Sequence, residues 1–409
     1  MGLFFGLFFL LDCGLAGTAG ARSVIDGDNA FDCFLFSNTK PMLVERMEFR
    51  HGGPRGMKKT GGDGDLTVVD CVFAENGATS DWGNSETGSN SNLCPSYGGC
   101  GAAFYGTGAA KLTVRNCRFE KNTTDSSRGS NYIGSGGGAF VRSFGLATIA
   151  DCEFSENNAA SNHRGSGVGA GLGAYGTRLI VTNCVFECNG SGEYVIGTTT
   201  MSASGPSRFV NCRFTGNGGS GVIRCVTYEN SATATGVSNE FENCTFAYNS
   251  GVVVGDAYNV NKPIDNKFHN CIFWGNGTDI KIGKANYSVG VDWSLLKSTN
   301  VTVTAGSVSF GAGIITNDPQ FVTTAEEAAA KKSGINVHLR GGLGYVDEKN
   351  PGKIETRYRF RGRSPAIDAG DPAMECVEPT PNGRRVNLGA YGNTPWATMP
   401  KGGTLIFVR

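Results

Sequence analysis

Apolar residues along this chain fall into short alternating runs, and the alternation slips by one position at a polar residue that recurs with them. The unit reads Asp70-Cys71-Val72-Phe73 with Asn76. It returns at Asn116-Cys117-Arg118-Phe119 with Asn122 and at Asp151-Cys152-Glu153-Phe154 with Asn157. Asn183-Cys184-Val185-Phe186 with Asn189 and Asn211-Cys212-Arg213-Phe214 with Asn217 continue the series. Asn243-Cys244-Thr245-Phe246 with Asn249 and Asn270-Cys271-Ile272-Phe273 with Asn276 complete it. A degenerate copy precedes them, with Met47 in the Cys place and Phe49 in the Phe place. Three residues before each Cys stands another apolar residue: Val68, Val114, Ile149, Val181, Phe209, Phe241 and Phe268, with Val44 before Met47.

Cys and Phe are two apart, so both face one side of a single strand. The residue three before Cys is out of phase with them, so the chain must bend between the two runs. The Asn or Asp ahead of Cys is the natural corner, because it tolerates left-handed backbone and bonds its neighbours. Each unit therefore predicts two short strands joined at a bend. Successive cysteines lie 46, 35, 32, 28, 32 and 27 residues apart. Unequal spacing around a fixed motif means a constant coil with loops of varying length, and such a solenoid grows lengthwise without needing a new core. Parallel strands about 4.8 Å apart would then stack Phe on Phe, Cys on Cys and Asn on Asn.

This motif resembles that of right-handed parallel β-helix repeat proteins of the pectin-lyase-like superfamily, over roughly residues 23–395. Ser23-Val24-Ile25-Asp26-Gly27 is similar to their first coil. Asp318-Pro319-Gln320-Phe321-Val322, Ser364-Pro365-Ala366-Ile367-Asp368-Ala369-Gly370-Asp371 and Asn387-Leu388-Gly389-Ala390-Tyr391-Gly392 resemble the closing segments of large secreted or surface bacterial members. The resemblance implies an all-β, single-stranded right-handed parallel β-helix with long loops on one side. Coils are expected over 23–322, a terminal coil and capping segment over 323–395, and a tail over 396–409. Residues 324–332, rich in Ala, Glu and Lys, are the one helix the sequence offers.

Composition fits short strands and tight turns: 62 Gly, 13 Pro and only 18% charged residues. The formal net charge is zero and no basic stretch is interleaved with aromatics, which argues against nucleic acid as a partner. Leu3 to Leu11 is an apolar run of signal-peptide length, and Thr18-Ala19-Gly20-Ala21 offers small residues for cleavage. Residues 1–22 are thus expected to be an export signal, the alternative being an N-terminal cap or first coil. No other stretch is long and apolar enough to span a membrane. A secreted or surface-bound bacterial protein, monomeric, is the expectation.

Fourteen cysteines invite a disulfide framework. Stacked neighbours about 4.8 Å apart exceed the Cβ separation a bridge prefers, so the seven motif cysteines read as buried thiols. Cys94 and Cys100 are the best bridge candidates. A linear ladder does not suit zinc. Gly61-Gly62-Asp63-Gly64-Asp65 and Asp26-Gly27-Asp28 bring calcium into consideration as the one cofactor, with plain turns the favoured reading and no cofactor the expectation.

Long insertions follow the motif Asn and precede Gly/Ala-rich strands, so residues 77–98, 123–135, 158–168 and 190–198 should gather on one side. They bring Trp82, Tyr97, Tyr132, Tyr194 and Glu193 as candidate glycan-binding residues, since rings stack on sugar faces while polar groups meet hydroxyls. Asp125, Arg128, His163 and Arg164 are the candidates for catalysis, of a kind lone loop residues seldom perform. The resemblance implies what a hydrolase of the polygalacturonase type would carry: Asn-Thr-Asp, Asp-Asp, Gly-His-Gly and Arg-Ile-Lys. None is present. The expectation is a non-catalytic protein that offers its loop face to a polysaccharide or cell-surface glycan. The alternative is a polysaccharide lyase or glycoside hydrolase acting on acidic polysaccharide in the same groove, with a segment of a larger adhesin as a third reading.

Overall fold

The computed structural model describes residues 15–16, 22–53, 55–77, 100–124, 137–159, 169–190, 194–199, 205–225, 236–255, 262–321, 364–380 and 382–397. Every paired strand runs parallel to its neighbours, and each coil contributes to three faces. Sheet I holds the Cys-x-Phe strands, from Ser23–Asp26 through Glu153–Ser155 to Ile272–Trp274. Sheet II holds the Gly/Ala-rich strands, such as Cys100–Tyr105, Ala139–Arg142 and Leu172–Tyr175. Sheet III holds the strands before the corner, such as Lys111–Arg115 and Leu146–Ala150. The long strand Thr278–Asp292 runs through both sheets II and III and joins them.

Two left-handed corners per coil produce this triangle. Asp70, Asn116, Asp151, Asn183, Asn211, Asn243 and Asn270 all have φ between 50° and 55°, between sheets III and I. A second row, with His51, Glu75, Lys121, Glu156 and Cys188 at φ 50° to 56°, turns the chain out of sheet I. Inside, Phe49, Phe73, Phe119, Phe154, Phe186, Phe214, Phe246 and Phe273 form one column with centroids 4.7–5.2 Å apart. Phe209, Phe241 and Phe268 stack in a second column from sheet III.

The asparagines form a buried ladder. Asn157 Nδ2 donates to Phe119 O at 2.7 Å and to Asn189 Oδ1 at 3.0 Å, while its own Oδ1 accepts from the backbone and side-chain nitrogens of Asn122. The same geometry runs from Asn76 to Asn276, where Asp279 Oδ1 receives the last amide.

Among the described residues the seven motif cysteines are free thiols. They do more than fill space. Cys117 Sγ receives the backbone N–H of Cys71, Cys152 Sγ that of Cys117, and Cys184 Sγ that of Cys152, at 3.4–3.5 Å. Each thiol also donates to the carbonyl two residues before it, as Cys152 does to Ala150 O at 3.1 Å. Burial pushes Cys117, Cys184 and Cys244 well above the ordinary thiol range, so they stay protonated donors. A further rung follows the seven. Trp293 takes the corner at φ 43°, and Ser294 Oγ accepts the N–H of Cys271 at 2.9 Å.

The interior becomes polar where sheets II and III meet in the later coils. Asn239 Nδ2 donates to Asn266 Oδ1 at 2.8 Å and to Cys225 Sγ at 3.1 Å, and Asn266 Nδ2 donates to Tyr287 OH at 2.8 Å. Farther along, Lys59 is fully buried beneath Phe144, its Nζ held by the carbonyls of Gly61 and Gly62. Burial lowers its pKa to about 8.

The C-terminal residues 364–397 lie across the outside of sheet I. Asn211 Nδ2 donates to Gly392 O at 2.8 Å, Arg213 Nη1 to Tyr391 OH at 3.0 Å, and Ala390 N to Thr245 Oγ1 at 2.9 Å. Leu388, Ala366 and Tyr391 pack there on Ala247, Ile272 and Leu295. At the other end, Leu15 and Ala16 pair with Val44 and Glu45, so part of the 1–22 segment serves as sheet III backbone.

Charges alternate down the second corner: Asp26, His51, Glu75, Lys121. His51 Nδ1 lies 3.1 Å from Asp26 and Nε2 3.0 Å from Glu75, and Lys121 approaches Glu75 at 3.8 Å. Arg50 also faces Asp26, at 3.1 Å. Hydrogen bonds donated to Asp26 and then to Glu75 raise the His51 pKa above its usual value of about 6.5. Its contribution is therefore complete below the unfolded pKa and is lost as pH rises through the raised folded one. The melting-temperature advantage of wild type over His51→Asn should shrink as pH rises above about 6.5. An advantage that stays constant or grows would contradict the charged clip.

Candidate functional site

Sheet II begins where the chain leaves the Asn turn, and glycine is demanded there. A Cβ on Gly138 would come within 2.6 Å of Gly171 O, 3.0 Å of the Phe154 ring and 3.2 Å of Asn157 Nδ2. The phenylalanine column and the asparagine ladder leave no room for a side chain. Beyond that glycine the strand alternates. Ala102, Phe104, Ala139, Val141, Leu172 and Ala174 enter the core.

The intervening residues point outward and make a second cluster of Ala103, Tyr105, Phe140 and Tyr175. Register aligns Tyr105, Arg142 and Tyr175 in one row across three coils. The Arg142 guanidinium lies 5.8 Å from the Tyr105 ring and 5.3 Å from that of Tyr175, distances at which a cation is attracted to an aromatic face. A parallel row aligns Lys58, Ala103, Phe140, Gly173, Gly197 and Arg224, and Arg224 lies 6.0 Å from the Tyr194 ring. Arg142 and Tyr194 are half-buried, whereas Tyr105 and Tyr175 are buried.

From Arg55–Lys59 to Val252–Val254 the charge on this sheet has one sign, and Asp279 on the following strand is buried at the end of the asparagine ladder. The described strands of that span carry Arg55, Lys58, Lys59, Arg142 and Arg224 and no carboxylate. Lys59 points inward, and Arg55 is paired with Asp32 at 2.8 and 3.0 Å. Sheet III differs: Arg208 meets Glu240 at 3.3 Å and Glu242 at 3.2 Å, and Lys267 meets Asp265 at 3.5 Å, so its outer face is internally balanced.

The family described as the right-handed β-helix region matches residues 101–305, about half of the chain. The chain belongs to that family. Within this β-helix protein the matched span runs from the strand at Tyr105 to the edge strand Val301–Phe310. The crystal structure of the pectate lyase Pel9A is similar to it at 13% identity and a TM-score of 0.45, over 92% of this chain and 78% of that one. No curated protein matches the sequence.

Of the residues the sequence puts forward for a site, Tyr194 alone is described, on the strand Tyr194–Thr199 of sheet II. Trp82, Tyr97, Asp125, Arg128, Tyr132, His163, Arg164 and Glu193 lie outside the described residues, as do Cys94 and the 324–332 segment. The stretches 78–99, 125–136, 160–168 and 191–193 that hold those site residues all join an Asn turn to a sheet II strand. Asp26 of the Gly/Asp runs accepts from Asp28 N at 3.0 Å, a local turn, and Asp65 accepts from Lys111 N at 2.8 Å. No group of three metal-ligating side chains occurs among the described residues. The β-helix also places Glu153 on the outside of sheet I, where burial raises its pKa to about 7.

The row of Tyr105, Arg142 and Tyr175 is absent from the sequence reading, which looked to the loops for chemistry. The signal was available in part. Each residue stands at the end of a Gly/Ala-rich run, as in Gly136-Gly137-Gly138-Ala139-Phe140-Val141-Arg142.

Proposed function

We propose that this β-helix protein binds an acidic polysaccharide or cell-surface glycan along the outer face of sheet II. The observation that carries this reading is Arg142 set between two tyrosine rings on a sheet whose described strands from Arg55–Lys59 to Val252–Val254 hold cations and no carboxylate. A guanidinium beside aromatic faces suits an anionic group, and the rings suit the apolar faces of sugars. In this reading the protein is a binder and does no chemistry.

Retention on immobilised acidic polysaccharides tests the proposal. Arg142→Ala should weaken binding roughly tenfold or more, as expected for losing a charged contact worth about 1.5–3 kcal/mol. Arg208→Ala, on the balanced face of sheet III, should leave it unchanged. Equal losses from both variants, or none from Arg142→Ala, would remove sheet II as the binding face. Release of unsaturated or reducing sugars from the same panel would replace the binder with a lyase or hydrolase.

A further inference from the structure

Among the described residues the core is buried along its length and partly exposed at its ends. The hydrophobic residues that pack on it yet stay partly exposed belong to the first coils (Leu15, Ile25, Phe34, Phe36) and to the last (Val301, Val308). Pairing with Ile282 and Val291 aims Val303 and Phe310 inward, yet they are 43% and 46% exposed. Inward residues of inner coils, such as Phe154 and Val181, are fully buried. The strands agree. Among the described residues, Val301–Phe310 pairs only with Thr278–Asp292, and Phe34–Phe36 pairs only with Arg55–Lys59. Among the described residues each end thus presents an unpaired parallel edge, which solenoids and sheets usually cap or blunt.

The two ends fit each other. Following register from coil to coil, the ladder that starts at Phe34 passes through Met57, Ala102, Ala139, Leu172 and Ile196 and ends at Val301. The ladder that starts at Leu15 passes through Val44, Val68 and Val114 and ends at Phe310. Phe36 lies two residues beyond Phe34 and Val303 two beyond Val301, so each faces the same way as its neighbour. Strand direction is the same throughout, so a second molecule advanced along the axis meets the first as the next coil would.

We propose that the occupant of the open end is a second copy of this chain, stacked head to tail, with Val301, Val303 and Phe310 of one against Phe34, Phe36 and Leu15 of the next. The contact joins unlike surfaces and does not close, so it propagates in a line. It changes the expectation of a monomer to one of concentration-dependent assembly.

Light scattering and sedimentation of the full chain test this. Wild-type mass should rise with protein concentration. Phe310→Glu blocks one end and Phe36→Glu the other. Each variant alone should stay at monomer mass with an unchanged circular dichroism spectrum and melting point. Mixed, they should form a one-to-one dimer of twice the monomer mass and grow no further, because each retains the end the other lacks. Val303→Glu replaces Phe310→Glu if that variant does not fold. A wild type that stays monomeric throughout would overturn the proposal and assign the ends to other residues of the same chain. Single variants that still associate, or a mixture that does not pair, would overturn it equally.

Discussion

Asn157→Leu should cost about 3–6 kcal/mol of unfolding free energy, a loss that any inner rung of the asparagine ladder should share. The amide sits at the centre of a continuous ladder. Its Nδ2 serves Phe119 O and Asn189 Oδ1, and its Oδ1 serves two nitrogens of Asn122. Leucine fills similar volume but leaves all four partners buried. Each orphaned group costs about 1–3 kcal/mol, and some will find alternative partners. Urea unfolding followed by tyrosine fluorescence would measure the shift. Thr148→Ala, outward on sheet III, is the reference and should change stability by less than about 0.5 kcal/mol. If Asn157→Leu matched that reference, the ladder would hold no more than its share of ordinary contacts.

Phe154→Ala should cost about 3–5 kcal/mol, because its ring lies 4.7 Å from both Phe119 and Phe186 and neither can move toward the gap. Backbone pairing fixes the spacing of the coils, so the column cannot collapse around a void as a helical core can. Phe154→Leu keeps most of the volume and should cost less than about 1.5 kcal/mol. Calorimetry of the two variants separates the cases. A Phe154→Ala cost near that of Phe154→Leu would mean that neighbouring coils relax into the cavity.

Legibility followed the repeat. Corner, thiol, ring and amide recur at fixed spacing, so the stacked coils, the phase slip at Asp151 and the ladder at Asn157 could be read from residue order. Trp293-Ser294-Leu295 was not recognised as a rung, since Ser stands in place of Cys. The structure shows why the exchange works: what the position needs is an acceptor for the N–H of the coil before it, and a hydroxyl supplies one. The outward row of sheet II was hidden for a different reason. Insertions of unequal length precede each of its strands, so the register that aligns Tyr105 with Arg142 cannot be counted from the motif. Asn239 and Asn266 stand two residues before the inward Phe241 and Phe268, so the alternation of sheet III turns them into the core, and only their polarity disguised it.

The strap formed by residues 364–397 alters how this solenoid can assemble itself. In a plain stack each coil needs only the one beside it, so contacts stay close in sequence and ordering can spread from any point. Tyr391 meets Arg213 across 178 residues, and Ala390 meets Thr245 across 145. Closing loops of that length adds a chain-entropy cost that no local pairing repays in advance, so the strap docks onto rungs already built. The last coils are consequently held by a contact of high order, and their completion is a late event in folding.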